Sequence, residues 1–206
     1  MIQTYDELKA AVGSWLKRTS LDTEIPNFIQ LAEAHFNRTI RATEMEARSR
    51  TTVNNEFVPK PDDFLALREI HIEGAIDQPL KYVTPQELSH IENSAYGGTP
   101  FVYTMVDQHI KIYPAPTTEN PIDVEIIYIQ KIPALSTSNQ TNWLLTNHPD
   151  IYLHGALHQA EGFFYNDRRM PIWERKCDLA IQALNESANR SRSGTGPMIP
   201  RVRNVI

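Results

Sequence analysis

Asn142–Phe164 reads NWLLTNHPDIYLHGALHQAEGFF. It contains HGALH, with His154 and His158 four residues apart and Glu161 three further on. On a helix that spacing stacks two imidazoles and a carboxylate along one side, the pattern of a metal site. A zincin, however, needs a glutamate directly after the first histidine as general base, and Gly155 stands there. The remaining residues describe a structural helix. Asn147 reads as its cap, Pro149 and Asp150 suit its first turn, and Leu153, Ala156, Leu157, Ala160 and Phe164 recur at helical spacing. His154, His158, Glu161 and Tyr165 then fall on the side away from that stripe, as a solvated or subunit-facing surface, and no metal is expected.

Working outward, a last helix is expected from Pro171, with Trp173, Cys177, Ala180 and Leu184 along one side. After Arg190 the chain reads SRSGTGPMIPRVRNVI, which is too rich in Gly, Pro and Ser to continue a helix, so an extended arm is expected over 191–206. At the other end Thr4 and Glu7 form a capping box before Tyr5, Leu8, Val12, Trp15 and Leu16. A second helix begins near Thr23 with Pro26 in its first turn, and carries Ile25, Ile29, Ala32, Phe36 and Ile40 on one side.

Between these helices lie most of the prolines and a series of β-rich runs: RSRTTV, LREIHI, PFVYTMV, HIKIYP and IDVEIIYIQK. Alternation in Ile110, Ile112 and in Val124, Ile126, Tyr128 buries one face of a sheet. Asp107-Gln108 separates two runs as a hairpin turn, and Thr84-Pro85-Gln86-Glu87 starts a short helix that ends before Gly97-Gly98. The expected fold is α+β: a four-helix bundle core with an inserted antiparallel β-rich subdomain and an extended C-terminal arm. The divisions are a helical hairpin at 1–45, the insertion at 46–133, a second hairpin at 134–190 and the arm at 191–206.

Composition narrows the function classes. The chain has 206 residues, enough for one core with an inserted subdomain, and its 41% hydrophobic and 22% charged content is that of a globular protein. No apolar run approaches the length that spans a bilayer, and MIQTYDELKAAV has no basic n-region, so the chain reads as an intracellular product. The single Cys177 leaves no internal disulfide and no cysteine-based zinc cluster. From Ala188 onward there are four arginines and no acid, while the rest of the chain holds 16 basic and 25 acidic residues. An acidic body with a basic tail suggests a tail with its own partner.

The familiar catalytic patterns are absent: no GxSxG, no GxxxxGK[ST], no GxGxxG. Cys177 lies on the apolar side of its helix and reads as a small buried residue. Asp62-Asp63, within VPKPDDF, reads as a turn entering a strand, not as a catalytic pair. Asn37, Asn139, Asn185 and Asn189 begin Asn-x-Ser/Thr sequons, which carry no weight without export. The residues describe no enzyme and call for no cofactor.

The order of these elements resembles the head-to-tail adaptor proteins of tailed bacteriophages. The resemblance rests on VPKPDDFLALREIHIEG (58–74), HIKIYPAP (109–116) and NWLLTNHPDIYLHGALHQAEGFFYNDRRMPIWERKCDLAIQAL (142–184). It implies a structural virion protein of the neck, assembled in the host cytoplasm, that forms a ring, twelvefold to match the portal. It further implies that the helical core surrounds the channel through which DNA passes without sequence-specific binding, and that the arm reaches into the portal. The β-rich insertion would then face later tail or neck proteins. On that reading the portal-docking residues are Arg192, Met198, Ile199, Arg201, Val202, Arg203, Val205 and Ile206. Trp143, Leu153, Leu157, Phe164, Trp173 and Leu184 pack the core. The rival readings are another neck component such as a stopper or tail-completion protein, a phage cell-wall hydrolase, and a DNA-binding regulator, which the acidic body disfavours.

Overall fold

The computed structural model describes residues 2–17, 21–74, 79–94, 96–164 and 168–193. The chain divides into two compact units, one formed from Met1–Glu44 with Ile132–Ile206 and the other from Met45–Lys131.

In the first unit, helix α1 spans Tyr5–Leu16 and α2 spans Ile25–Thr39. Thr4 accepts the Glu7 N–H while the Glu7 carboxylate accepts the Thr4 N–H, a reciprocal capping box at the start of α1. The helix stops at Lys17, which turns left-handed at φ 52°. Its inner side is Tyr5, Leu8 and Val12, but Trp15 remains 48% exposed. Helix α2 has Pro26 in its first turn and buries Ile25, Phe28, Ile29, Ala32, Glu33 and Phe36.

The second half of this unit departs from expectation at its start. Asn142, not Asn147, is a cap: its side chain accepts the Leu145 N–H at 2.8 Å and starts a short helix, which we number α4, at Trp143–Asn147. The next helix, α5, spans Pro149–Phe163 and starts from His148 without a side-chain cap. Then α6 runs Met170–Ser193 with Cys177, Ile181, Leu184 and Ala188 buried along one side.

A four-helix bundle does not describe this arrangement. Among the described residues there are six α-helices and two sheets, and five of the helices (α1, α2, α4, α5, α6) belong to this unit. Helix α5 is its axis, packed against all four others. A bundle helix keeps one side for solvent, whereas Ile151, Tyr152 and Leu153 are buried in succession, followed by Gly155, Ala156, Leu157, Ala160 and Glu161. The polar stripe is partly covered within the subunit: His154 and His158 are half-buried and Glu161 is buried, while Tyr165 lies outside the described residues. His154 stacks on Trp173 with 5.8 Å between ring centroids, and Glu161 is 4% exposed beside Arg169. The helical expectation also stopped too early: residues 191–193 continue α6, so Arg192 belongs to a helix and not to an extended arm.

In the second unit, a 3₁₀ turn at Thr43–Met45 leads into β1 (Glu46–Val53), β2 (Phe57–Pro59) and β3 (Phe64–Ile72). Then come β4 (Lys81–Tyr82), helix α3 (Pro85–Asn93), β5 (Val102–Val106), β6 (His109–Tyr113) and β7 (Ile122–Gln130). One sheet has the order β1-β7-β3, antiparallel throughout. The other has the order β2-β6-β5-β4, and its β4–β5 pair is parallel, so the insertion is not wholly antiparallel. The β5–β6 hairpin turns at Asp107-Gln108, where Asp107 takes φ +50°, a conformation its short polar side chain tolerates without glycine. Val53, Val58, Ile70, Leu80, Ile110, Ile112, Val124, Ile126 and Tyr128 form one buried cluster. Thr84 caps α3, and Leu88 packs with Val83 and Val102 into a smaller one.

Candidate functional site

The HGALH segment owes its glycine to packing. A Cβ at Gly155 would stand 2.5 Å from Phe36 Cζ and 3.3 Å from the Ala32 Cβ, so α2 crosses α5 where α5 has no side chain. Gly155 thus fills a crossing, not a broken metal motif. Among the described residues no three His, Cys, Asp or Glu side chains form a group suited to a metal ion.

Where the other chemistry-bearing residues lie is equally telling. His154 Nδ1 is buried without a hydrogen-bond partner, and burial first, with Lys176 second, pulls its pKa below the ordinary histidine value. Cys177 is 3% exposed; burial pushes its thiol up to about 12, and its Sγ lies 3.9 Å from the Ile151 carbonyl. Such a thiol is not a nucleophile near neutral pH. Asp63 accepts the Tyr128 hydroxyl at 2.9 Å and offers its carbonyl to the Lys131 N–H at 2.7 Å, so it holds β7.

Sequence reading passed over the residues that do converge. Glu33 is 6% exposed on the inner side of α2. Its Oε1 accepts both the Leu135 N–H at 2.8 Å and the Tyr152 hydroxyl at 3.0 Å. Asn142 Nδ2 donates to the Tyr152 oxygen at 2.6 Å and to the Pro133 carbonyl at 2.7 Å. One turn along α2, Asn37 Oδ1 accepts the Ile132 N–H at 2.8 Å. These side chains pin the segment returning from the β-rich unit. Burial raises the Glu33 pKa against the opposing effect of its two hydrogen bonds, and raises the Tyr152 phenol further, with Glu33 adding to it. An acid among the apolar positions of α2 was the signal available in the sequence.

The outgoing segment is held in the same manner from α6. Asn185 Oδ1 accepts the Arg41 N–H at 2.8 Å, and its Nδ2 donates to the Thr39 carbonyl at 2.9 Å. Arg192 Nη2 donates to the Arg41 carbonyl at 3.0 Å. Asn37 and Asn185, which read as sequons, are thus backbone clamps.

Of the residues assigned to the core, Leu153, Leu157 and Leu184 are buried, while Trp143, Phe164 and Trp173 are half-buried. Of those assigned to portal docking, Arg192 stands on α6; Met198, Ile199, Arg201, Val202, Arg203, Val205 and Ile206 lie outside the described residues.

The site is therefore an assembly of backbone-holding side chains, the inventory of a structural protein. Sequence comparison agrees: the model of the SU10 adaptor protein family matches residues 3–201, and the chain belongs to that family of phage structural adaptors. No curated protein matches the chain. Among the described residues no helix is long and apolar enough to cross a membrane.

Proposed function

We propose that this adaptor sits in the virion neck, forms a twelvefold ring beneath the portal and presents its β-rich unit to later tail or neck proteins. The observation that carries the reading is the family match, which runs through both units and into the tail as far as residue 201. The tail sequence supports portal docking. Five of its last nine residues are apolar, with Arg201 and Arg203 among them. A segment that orders on a partner uses such a mixture, burying apolar surface and pairing guanidinium groups with carboxylates. An acidic body also suits a channel that DNA slides through, because like charges give phosphates no anchorage.

The test is to mix purified protein with portal rings of the same phage and image the product by electron microscopy. A ring of adaptor density on the portal is expected for the full chain, and none for a chain lacking residues 194–206. That truncation spares α6 and the Arg192 contact, so the body should keep its circular dichroism. Normal attachment by the truncated protein would sink arm docking, and a count other than twelve would sink the ring.

A further inference from the structure

We propose that the C-terminal turns of α6 are a latch that couples the tail to the segment leaving for the β-rich unit. The inference rests on the docking reading only for what engages the tail; the latch itself stands on geometry.

Three hydrogen bonds make it. Asn185 takes the Arg41 N–H with its carbonyl oxygen and gives its amide N–H to the Thr39 carbonyl. One side chain thus replaces the backbone partners that residues just past a helix end lack. Two turns further along α6, Arg192 closes on the Arg41 carbonyl. Both polar groups of the Arg41 backbone are therefore satisfied from one helix, whose last described residue, Ser193, immediately precedes the tail in the chain. The returning segment is tied differently among the described residues: Ile132 and Leu135 hang on Asn37 and Glu33, both on α2. Among the described residues the outgoing segment is consequently held by α6, the helix that precedes the tail, and the returning segment by α2.

Direction follows from this asymmetry. Hydrogen bonds weaken steeply once donor and acceptor part or misalign, so a small rotation or slide of the last turns of α6 disturbs all three together. None of the three involves the Asn37 or Glu33 side chains that hold Ile132 and Leu135. A partner that seizes residues 194–206 therefore acts on Arg41 and not on Ile132. One that steadies α6 tightens the outgoing root; one that draws α6 away releases it.

Amide hydrogen exchange on the full chain tests this in two stages. In the free protein, Asn185→Ala should speed exchange of the Arg41 amide at least tenfold while the Ile132 and Leu135 amides keep their rates. Asn185→Asp, which retains the acceptor for Arg41 but not the donor for Thr39, should fall between. An unchanged Arg41 amide in Asn185→Ala, or equal acceleration at all three amides, would overturn the latch. Addition of purified portal rings should then change Arg41 exchange in the wild type and leave Ile132 as it was. Rings that bind without altering Arg41 would overturn the coupling and leave docking intact. Rings that fail to bind would overturn docking, while the free-protein result still decides the latch.

Discussion

Gly155 on α5 faces the ring of Phe36 on α2 so closely that a Cβ added there would lie 2.5 Å from Phe36 Cζ. Phe36 is fully buried and meets Tyr152 edge-on at 5.3 Å, so the ring can yield only by displacing buried neighbours. Gly155→Ala should destabilise the helical unit by about 1–3 kcal/mol, the usual cost of overpacking, despite alanine's better helix propensity. Urea unfolding measures it. A stabilised variant would mean that α2 shifts freely, contrary to the packing described.

Glu33 should make stability depend on pH in the direction opposite to an ordinary carboxylate. Its folded pKa lies above the unfolded value of 4.5. Between the two, the folded state binds more protons than the unfolded one, so this group lowers stability as pH rises through that window. Glu33→Gln keeps an acceptor for Leu135 and Tyr152 but does not titrate. Any advantage of the wild type over Glu33→Gln should shrink as pH rises above the unfolded value of 4.5; an advantage that grows would reverse the assignment. Glu33→Ala should cost about 1–3 kcal/mol for each buried donor it strands.

The contrast between α3 and α5 shows how much of the fold the sequence could disclose. Helix α3 is announced locally: Thr84, Pro85 and Glu87 supply cap, first-turn proline and box partner. The alternation of Ile110, Ile112, Val124, Ile126 and Tyr128 is equally local, and all five meet in one cluster. Helix α5 is not decided locally. His154 and Glu161 look like a wet surface until α6 brings Trp173 over one and the chain before it brings Arg169 to the other. The clamps at Glu33, Asn37 and Asn185 were hidden for the same reason, since each joins positions 95 or more residues apart. Resemblance conveyed the family, while periodicity did not convey which helix is central.

Cys177 should resist modification. With its thiol pushed up to about 12 by burial, native protein at about pH 8 should not react with iodoacetamide. In denaturant it should react at the rate of a free thiol. Rapid labelling of folded protein, followed by mass spectrometry, would show that α6 opens readily from α5.

Leu157 and Trp173 both face α5's surroundings, yet their truncations should be distinguishable. Leu157 is 1% exposed, and Leu157→Ala should cost about 2–5 kcal/mol as a core cavity. Trp173 is half-buried among Trp15, His154 and Lys176, at 5.5, 5.8 and 5.2 Å by ring centroid. Its indole is the lid over His154, whose folded pKa lies below the unfolded value chiefly because of burial. The unfolded chain therefore binds the extra proton first, and this contribution to stability is lost as pH falls through the unfolded pKa of 6.5. Trp173→Ala uncovers the imidazole, so His154 should titrate nearer the ordinary value and the associated loss of stability on acidification should diminish. Leu157→Ala should leave the His154 titration low, because Leu157 is not part of that stack. NMR titration of the His154 ring in both variants reads the difference. Equal shifts in the two would mean that the imidazole responds to general loosening of α5, and the lid role of Trp173 would be lost.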